Sequence, residues 1–211
     1  MRAFLLLVLA IFAAQAQEAI TVLERREVAV AHSVAPAAYE LRLTLAFLDG
    51  SGWTPEPIIA AARQSATILG QCGVALKAVE LLRVSAPSRF HDFLTPLSRE
   101  LAATLQLGKP TIYFVAGTRQ RPAFDAEAIG RGNSRTRPEL ADTVWVTRGT
   151  RDLGIALAHE IAHVLMDSGE HSAEPGNLMR EDTAPGNVRL AEVQCARLRD
   201  VGSTNGLLRS R

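Results

Sequence analysis

This chain has no excess of charge of either sign. Basic residues number 23 and acidic residues 22, a net charge of +1, so no strong field draws it to nucleic acid or to an anionic membrane. Basic tracts, acidic tails, internal repeats and low-complexity runs are also missing from the 211 residues. That length suits one domain with a substantial core and is too short for two comfortable ones. With bulk charge and repetition excluded, function has to come from a site.

Long apolar runs are absent beyond the first segment, MRAFLLLVLAIFAAQAQ. Arg2 supplies a positive start, Phe4 to Ala14 an apolar run, and Ala14-Gln15-Ala16 a small-x-small cleavage signal. The run is short for a bilayer span, and Gln15, Gln17 and Glu18 end it. Residues 1–16 are therefore expected to be a signal peptide, with an uncleaved anchor as the alternative. The mature chain is expected to be secreted or periplasmic, with no stable membrane insertion after cleavage.

Cysteine is nearly missing. The two present, Cys72 and Cys195, are an even count that can pair in an oxidising compartment, two separate thiols being the alternative. A bridge would tie the first third of the domain to its C-terminal helix and stabilise it by about 4–5 kcal/mol through loop closure.

After a polar lead-in at 17–37, apolar and polar residues alternate over 38–48 and again over 74–84, as in half-buried strands. A helix is expected over 57–70, opened by Thr54-Pro55-Glu56-Pro57, and another over 97–107, closed by Gly108 before Pro110. The β-branched and aromatic run 111–116 reads as a buried strand, and 143–147 as a further one. Residues 117–142, rich in Gly, Arg, Pro and Asp, read as loop with a short edge strand at 126–130. A helix follows over 153–166 with Asp152 as its N-cap, then a loop to Met179 and a last helix over 190–198. This order describes an α/β (α+β) domain, a mixed sheet packed against helices.

The chemistry concentrates in 159-HEIAHVLMDSGEHSAEPGNLM-179. Residues four apart on a helix share a face, so His159 and His163 can aim their imidazoles at one ion, about 2.0–2.1 Å from each if it is zinc. Glu160 projects about 100° around the helix, where it can face a metal-activated water without being a ligand. There it can act as general base and then as general acid toward a leaving amine. Histidines on a buried helix need a metal or hydrogen-bond partners, and two satisfied core histidines are the plainer alternative.

The stretch resembles the metzincin family of zinc endopeptidases, above all its matrixin branch, which shows His-Glu-x-x-His-x-x-Gly-x-x-His and then a methionine turn. His171, Ser172, Pro175, Leu178 and Met179 match the tail of that pattern in order. The resemblance implies a catalytic domain over 38–211 with a twisted five-stranded sheet, a backing helix, an active-site helix and a C-terminal helix. It implies one catalytic Zn2+ held by His159, His163 and His171, Glu160 as base, and Met179 as an apolar floor. The substrate would be a protein or peptide paired along the edge strand at Ala128, Ile129 and Gly130. The helix at 97–107 looks like an insertion.

The chain departs from the pattern in one place. Seven residues separate the second and third histidines where the family has five, and Met166 holds the family's glycine position. We expect the helix to run about half a turn further, with Gly169 making the bend. Glu181 stands where some metzincins have a tyrosine ligand, so no such ligand is expected.

Two other readings remain open on the sequence. A thermolysin-like (gluzincin-like) site would take Glu181 or Glu192 as third ligand in place of His171. A zinc-stabilised, non-catalytic binding protein of the cell envelope would need a closed four-ligand site, and the fourth ligand is not evident. His32 and His91 read as solvated loop histidines, and Arg119, Arg121, Arg131, Arg135 and Arg137 as a charged loop surface. N-terminal sequencing of the exported protein should find Gln17 first; a chain still beginning at Met1 would show that the leader is kept as an anchor.

Overall fold

The computed structural model describes residues 19–30, 37–119, 128–131 and 138–211. The expected signal peptide, His32, Arg121, Arg135 and Arg137 lie outside them, as do the first two residues of the expected edge strand.

The chain runs β1 (Thr21–Val28), β2 (Tyr39–Leu48), α1 (Pro55–Gly70), β3 (Val74–Ser85), β4 (Asp92–Phe93), α2 (Thr95–Leu105), β5 (Thr111–Phe114), β6 (Gly117–Thr118), β7 (Ala128–Arg131), β8 (Thr143–Val146), α3 (Leu153–Met166), α4 (Glu192–Thr204) and β9 (Leu208–Ser210). The main sheet has the order β1-β3-β2-β5-β8-β7, with β9 paired to β2 as the seventh strand. The inner strands β3, β2, β5 and β8 are parallel, and β1, β7 and β9 are antiparallel to their neighbours. β4 and β6 form a separate two-stranded ribbon.

All five expected strands are present, and two more join them. β1 arises inside the supposed lead-in: TVLERREV is exposed along nearly its whole length, so burial alternation could not reveal it. β9 is a three-residue strand after the last helix, docked on Tyr39–Leu41.

Continuous apolar runs in the inner strands follow from burial on both faces. Ile112 and Phe114 of β5, with Val144 and Val146 of β8, face the core under α1 and α3, together with Leu41, Leu43, Leu45 and Phe47 of β2. Tyr113, Val115 and Trp145 face the other side, where Phe90, Phe93 and Leu101 cover them. Tyr113 and Trp145 stack at 4.2 Å between ring centroids. The helix that looked like an insertion, α2, thus builds a second core layer.

α1 and α3 meet at a close crossing. A Cβ on Gly154 would come within 2.6 Å of the Gln64 Cβ, so only glycine allows the approach, and Ser65 Oγ donates across it to the Gly154 carbonyl at 2.8 Å. Both helix-closing glycines named from the sequence were misplaced. α2 ends at Gln106 in the left-handed conformation (φ 46°) and α3 at Asp167 (φ 45°), so polar residues take the place expected for Gly108 and Gly169. Asp152 does stand at the N-cap of α3, where its carbonyl accepts from Ile155 and Ala156, but its side chain makes no cap.

Cys72 and Cys195 form a disulfide with Cα atoms 4.9 Å apart, joining the α1–β3 turn to α4. Both cysteines are buried. Replacing both by alanine should lower unfolding free energy by about 3–5 kcal/mol in urea, since 123 residues separate them in sequence; a change below 1 kcal/mol would show that packing alone holds α4.

Candidate metal centre

α3 is apolar all round, as a helix sunk between a sheet and two other helices must be. Eleven of its fourteen residues are buried. The three that are not are Leu153, Glu160 and His163, and Glu160 and His163 lie three apart on one side. The helix therefore opens outward along a single stripe, and the acidic residue of the motif lies on it, half-buried.

Backbone carbonyls fix the two helical imidazoles. His159, 4% exposed, donates Nδ1–H to the Leu178 carbonyl at 2.7 Å, and His163 donates Nδ1–H to the Ser168 carbonyl at 2.6 Å. A carbonyl can only accept, so in the neutral rings both protons sit on Nδ1 and both Nε2 atoms carry lone pairs. Those lone pairs face one another: His159 Nε2 and His163 Nε2 are 2.9 Å apart, and His163 Nε2 and His171 Nε2 are 3.3 Å apart. Three imidazole donors lie within 4.8 Å of one another. Two acceptors facing at such a distance repel unless a cation lies between them. Ligands 2.0–2.1 Å from a tetrahedral ion would be about 3.3 Å apart, so the donor set fits a metal ion of that size.

His171 reaches the centre despite its late arrival, and the end of α3 explains how. The Ser168 N–H bonds the His163 carbonyl and the Asp167 N–H the Val164 carbonyl, a Schellman closure with Asp167 as its left-handed residue. The bend falls one position after the family's glycine, so the two added residues divide between them: one lengthens the helix, one lengthens the loop. The carbonyl exposed by this closure is the one that orients His163. Beyond the bend, Ser172 N–H donates to the Met179 carbonyl at 2.7 Å, which pins the exposed His171 to the turn at 176–179. Met179, 1% exposed, and Leu178 belong to the same core as Ile161 and Ala162 of α3. A cavity of about 360 Å³ beneath this loop is lined by Met166, His171, Met179, Val193 and Arg197 among others.

The remaining candidates separate clearly. No carboxylate joins the three histidines among the described residues. Glu192, offered as an alternative ligand, lies in the first turn of α4 and pairs with Arg199 at 2.8 Å. Glu181 is exposed. His91 is not the solvated loop residue expected: it is half-buried, and its Nε2 has no hydrogen-bond partner among the described residues. Ala128, Ile129 and Gly130 lie on β7, the outermost strand beside β8. Sequence reasoning missed the groups behind the ligands, namely the Ser168 and Leu178 carbonyls and the side chains of Asn177 and Gln194. A carbonyl leaves no mark in a sequence, and an amide pair 17 residues apart leaves almost none.

The architecture matches a solved structure, metalloproteinase-II from Bacteroides fragilis, with a TM-score of 0.55 at 19% identity. The likeness is one of fold. The match covers 79% of this chain and 54% of that one, so the chain spans about half the length of that structure. No family model matches the sequence, and no curated protein sequence does. The mixed sheet, the helices and this neighbour together make a metzincin-like zincin fold, carrying three histidines that could hold a metal ion.

Burial disfavours the charged forms of His159 and His163. It lowers the His159 pKa against the opposing pull of the Leu178 carbonyl, and it pushes His163, with His159 beside it, down to about 4. Above pH 6.5 the His163 ring is neutral in folded and unfolded chains alike, so it adds no pH dependence. Below 6.5 the unfolded chain takes up a proton that the folded one refuses. Metal-free protein should therefore lose stability from pH 6.5 down to about 4 and level off beneath, by at most about 3 kcal/mol from this residue. Melting curves of H163Q should slope less over that window; equal slopes would show that His163 titrates normally.

Proposed function

We propose that this chain is a zinc-dependent endopeptidase, its catalytic unit spanning about residues 38–211, with His159, His163 and His171 as ligands and Glu160 as the proton carrier. The observation that carries the reading is the convergence of three Nε2 lone pairs on one point, two of them fixed by carbonyls on the opposite ring nitrogen. The metalloproteinase fold adds to it. Zinc suits the donor set, since neutral imidazoles held in one tautomer are its preferred nitrogen ligands.

When bound, zinc would supply a Lewis acid that makes water nucleophilic near neutral pH and polarises a peptide carbonyl. The chain's own part is positioning and proton transfer. His159 and His163 enter already neutral and oriented, so neither protonation nor ring rotation competes with binding. Glu160, on the one open stripe of α3, accepts a proton from the attacking water at its carboxylate and returns it to the leaving nitrogen. Three protein ligands leave a coordination position for substrate, which distinguishes this arrangement from a closed structural site.

The substrate would be a protein or peptide. An extended segment would add to the sheet at β7, where Ala128, Ile129 and Gly130 offer main-chain N–H and C=O groups at the sheet edge. Met179, packed in the core beside α3, would form the apolar floor of the site, in keeping with the matrixin-like tail Ser172, Pro175 and Leu178. Export through the leader at 1–16, to the periplasm or beyond the cell, accords with the disulfide. Among the described residues no helix is long and apolar enough to cross a membrane.

Glu160→Gln should retain zinc at wild-type stoichiometry and lose casein or gelatin cleavage by a factor on the order of 10²–10⁴. Removing zinc from the wild type with a chelator should abolish cleavage, and adding it back should restore it. Undiminished cleavage by the Gln variant would refute the assignment of Glu160.

A further inference from the structure

The Leu178 carbonyl orients His159, so whatever holds residue 178 in place also holds a ligand. Residue 178 sits in a turn at 176–179 that is tied on both sides. Its own N–H donates to the Arg189 carbonyl at 2.6 Å, and Arg189 N–H donates back to the Gly176 carbonyl at 3.0 Å. The next N–H, that of Met179, donates to Asn177 Oδ1 at 2.8 Å. Asn177 is 3% exposed, so its side chain must find its partners inside the protein.

It finds them on α4. Asn177 Nδ2 donates to Gln194 Oε1 at 2.9 Å, and Gln194 Nε2 donates back to Asn177 Oδ1 at 3.2 Å. Gln194 Oε1 also accepts the Ala191 N–H at 2.8 Å, the returning half of a capping box at the start of α4. The two backbone N–H groups can only donate, so they fix which end of each amide is oxygen and leave the reciprocal pair a single arrangement. The residue after Gln194 is Cys195, whose disulfide to Cys72 holds α4 against the turn after α1. Gln71, next to Cys72, reaches the same region: its Nε2 donates to the Val188 carbonyl at 2.9 Å and its Oε1 accepts the Leu190 N–H at 2.8 Å.

We infer that Asn177 and Gln194 are positioning residues for the metal centre, an amide clamp that holds the Leu178 carbonyl against His159 and so couples α4 to metal affinity. The inference rests on the proposed metal site and extends it to two residues that touch no ligand ring. Outer groups that orient a ligating histidine affect metal affinity by about 10- to 100-fold, and Gln194 acts one bond further out. Gln194→Ala breaks the reciprocal pair and the cap. Gln194→Glu keeps an oxygen for both Asn177 Nδ2 and the Ala191 N–H but sets a second oxygen against Asn177 Oδ1, so it keeps the cap and breaks the returning half of the pair. Leu198, one turn along α4 from Gln194 and buried with no polar side-chain atom, supplies a control for loss of packing on the same helix.

The test is zinc titration against a chromogenic chelator, using the oxidised mature protein at pH 7.5, well below each variant's Tm. The wild type, Q194A, Q194E, N177A, L198A and H159A are compared. A second readout is the exchange rate of the His159 Nδ1 proton in metal-free protein by NMR. We expect Q194A and N177A to bind zinc about tenfold more weakly, with faster exchange of that proton. Q194E, which sets an oxygen against Asn177 Oδ1, should also bind zinc more weakly than the wild type, and L198A should lose Tm without losing affinity. If Q194A binds within twofold of the wild type, or L198A loses as much affinity as Q194A, the clamp is refuted while the metal site stands. A wild type that binds no zinc, or binds it equally well after His159→Ala, refutes the metal site and the clamp together.

Discussion

Two hydrogen bonds carry the site: Nδ1–H of His159 to the Leu178 carbonyl and Nδ1–H of His163 to the Ser168 carbonyl. Without them each ring could turn, exchange tautomers or satisfy itself elsewhere. With them, both Nε2 lone pairs are fixed at one point in a half-buried setting where protonation is disfavoured. Such a centre could receive a cation without ring rotation or loss of a proton, which is the kind of preorganisation that metal affinity requires.

The fold supplies those two carbonyls from different elements. Ser168 belongs to the closure of α3 itself, so the same backbone turn that ends the helix orients His163 on it. Leu178 belongs to a turn 19 residues from His159, held by Arg189, Asn177 and α4. The buried sides of α3 press against β-strands and α1, and the remaining stripe is left for Glu160 and His163. The disulfide fastens α4, and α4 carries the amide that reaches the turn. Core packing and site geometry are thus the same set of contacts seen from two sides.

Much of this was legible in the sequence. Where strands are buried on both faces, as at 111–116 and 143–147, runs of β-branched and aromatic residues announced them. The apolar helix with His159, Glu160 and His163 was equally plain, because spacing on a helix fixes which side chains share a face. The exposed strand β1 was not legible, since both of its faces meet solvent and its pattern carries no period. Glycine misled twice. Gln106 and Asp167 adopt the left-handed conformation two residues before the glycines that seemed made for it, because the conformation is set by where packing of the helix ends. The late histidine looked like a difficulty for the same reason: a left-handed Asp167 was not foreseen, and it is the residue that divides the insertion between helix and loop.

The most direct test of the account is X-ray absorption at the zinc edge on protein purified with one equivalent of zinc. Three imidazoles and one further oxygen or nitrogen at about 2.0–2.1 Å, with the outer-shell scattering of three rings, are what the structure predicts. A first shell with sulfur, or with two imidazoles and a carboxylate in place of His171, would contradict it.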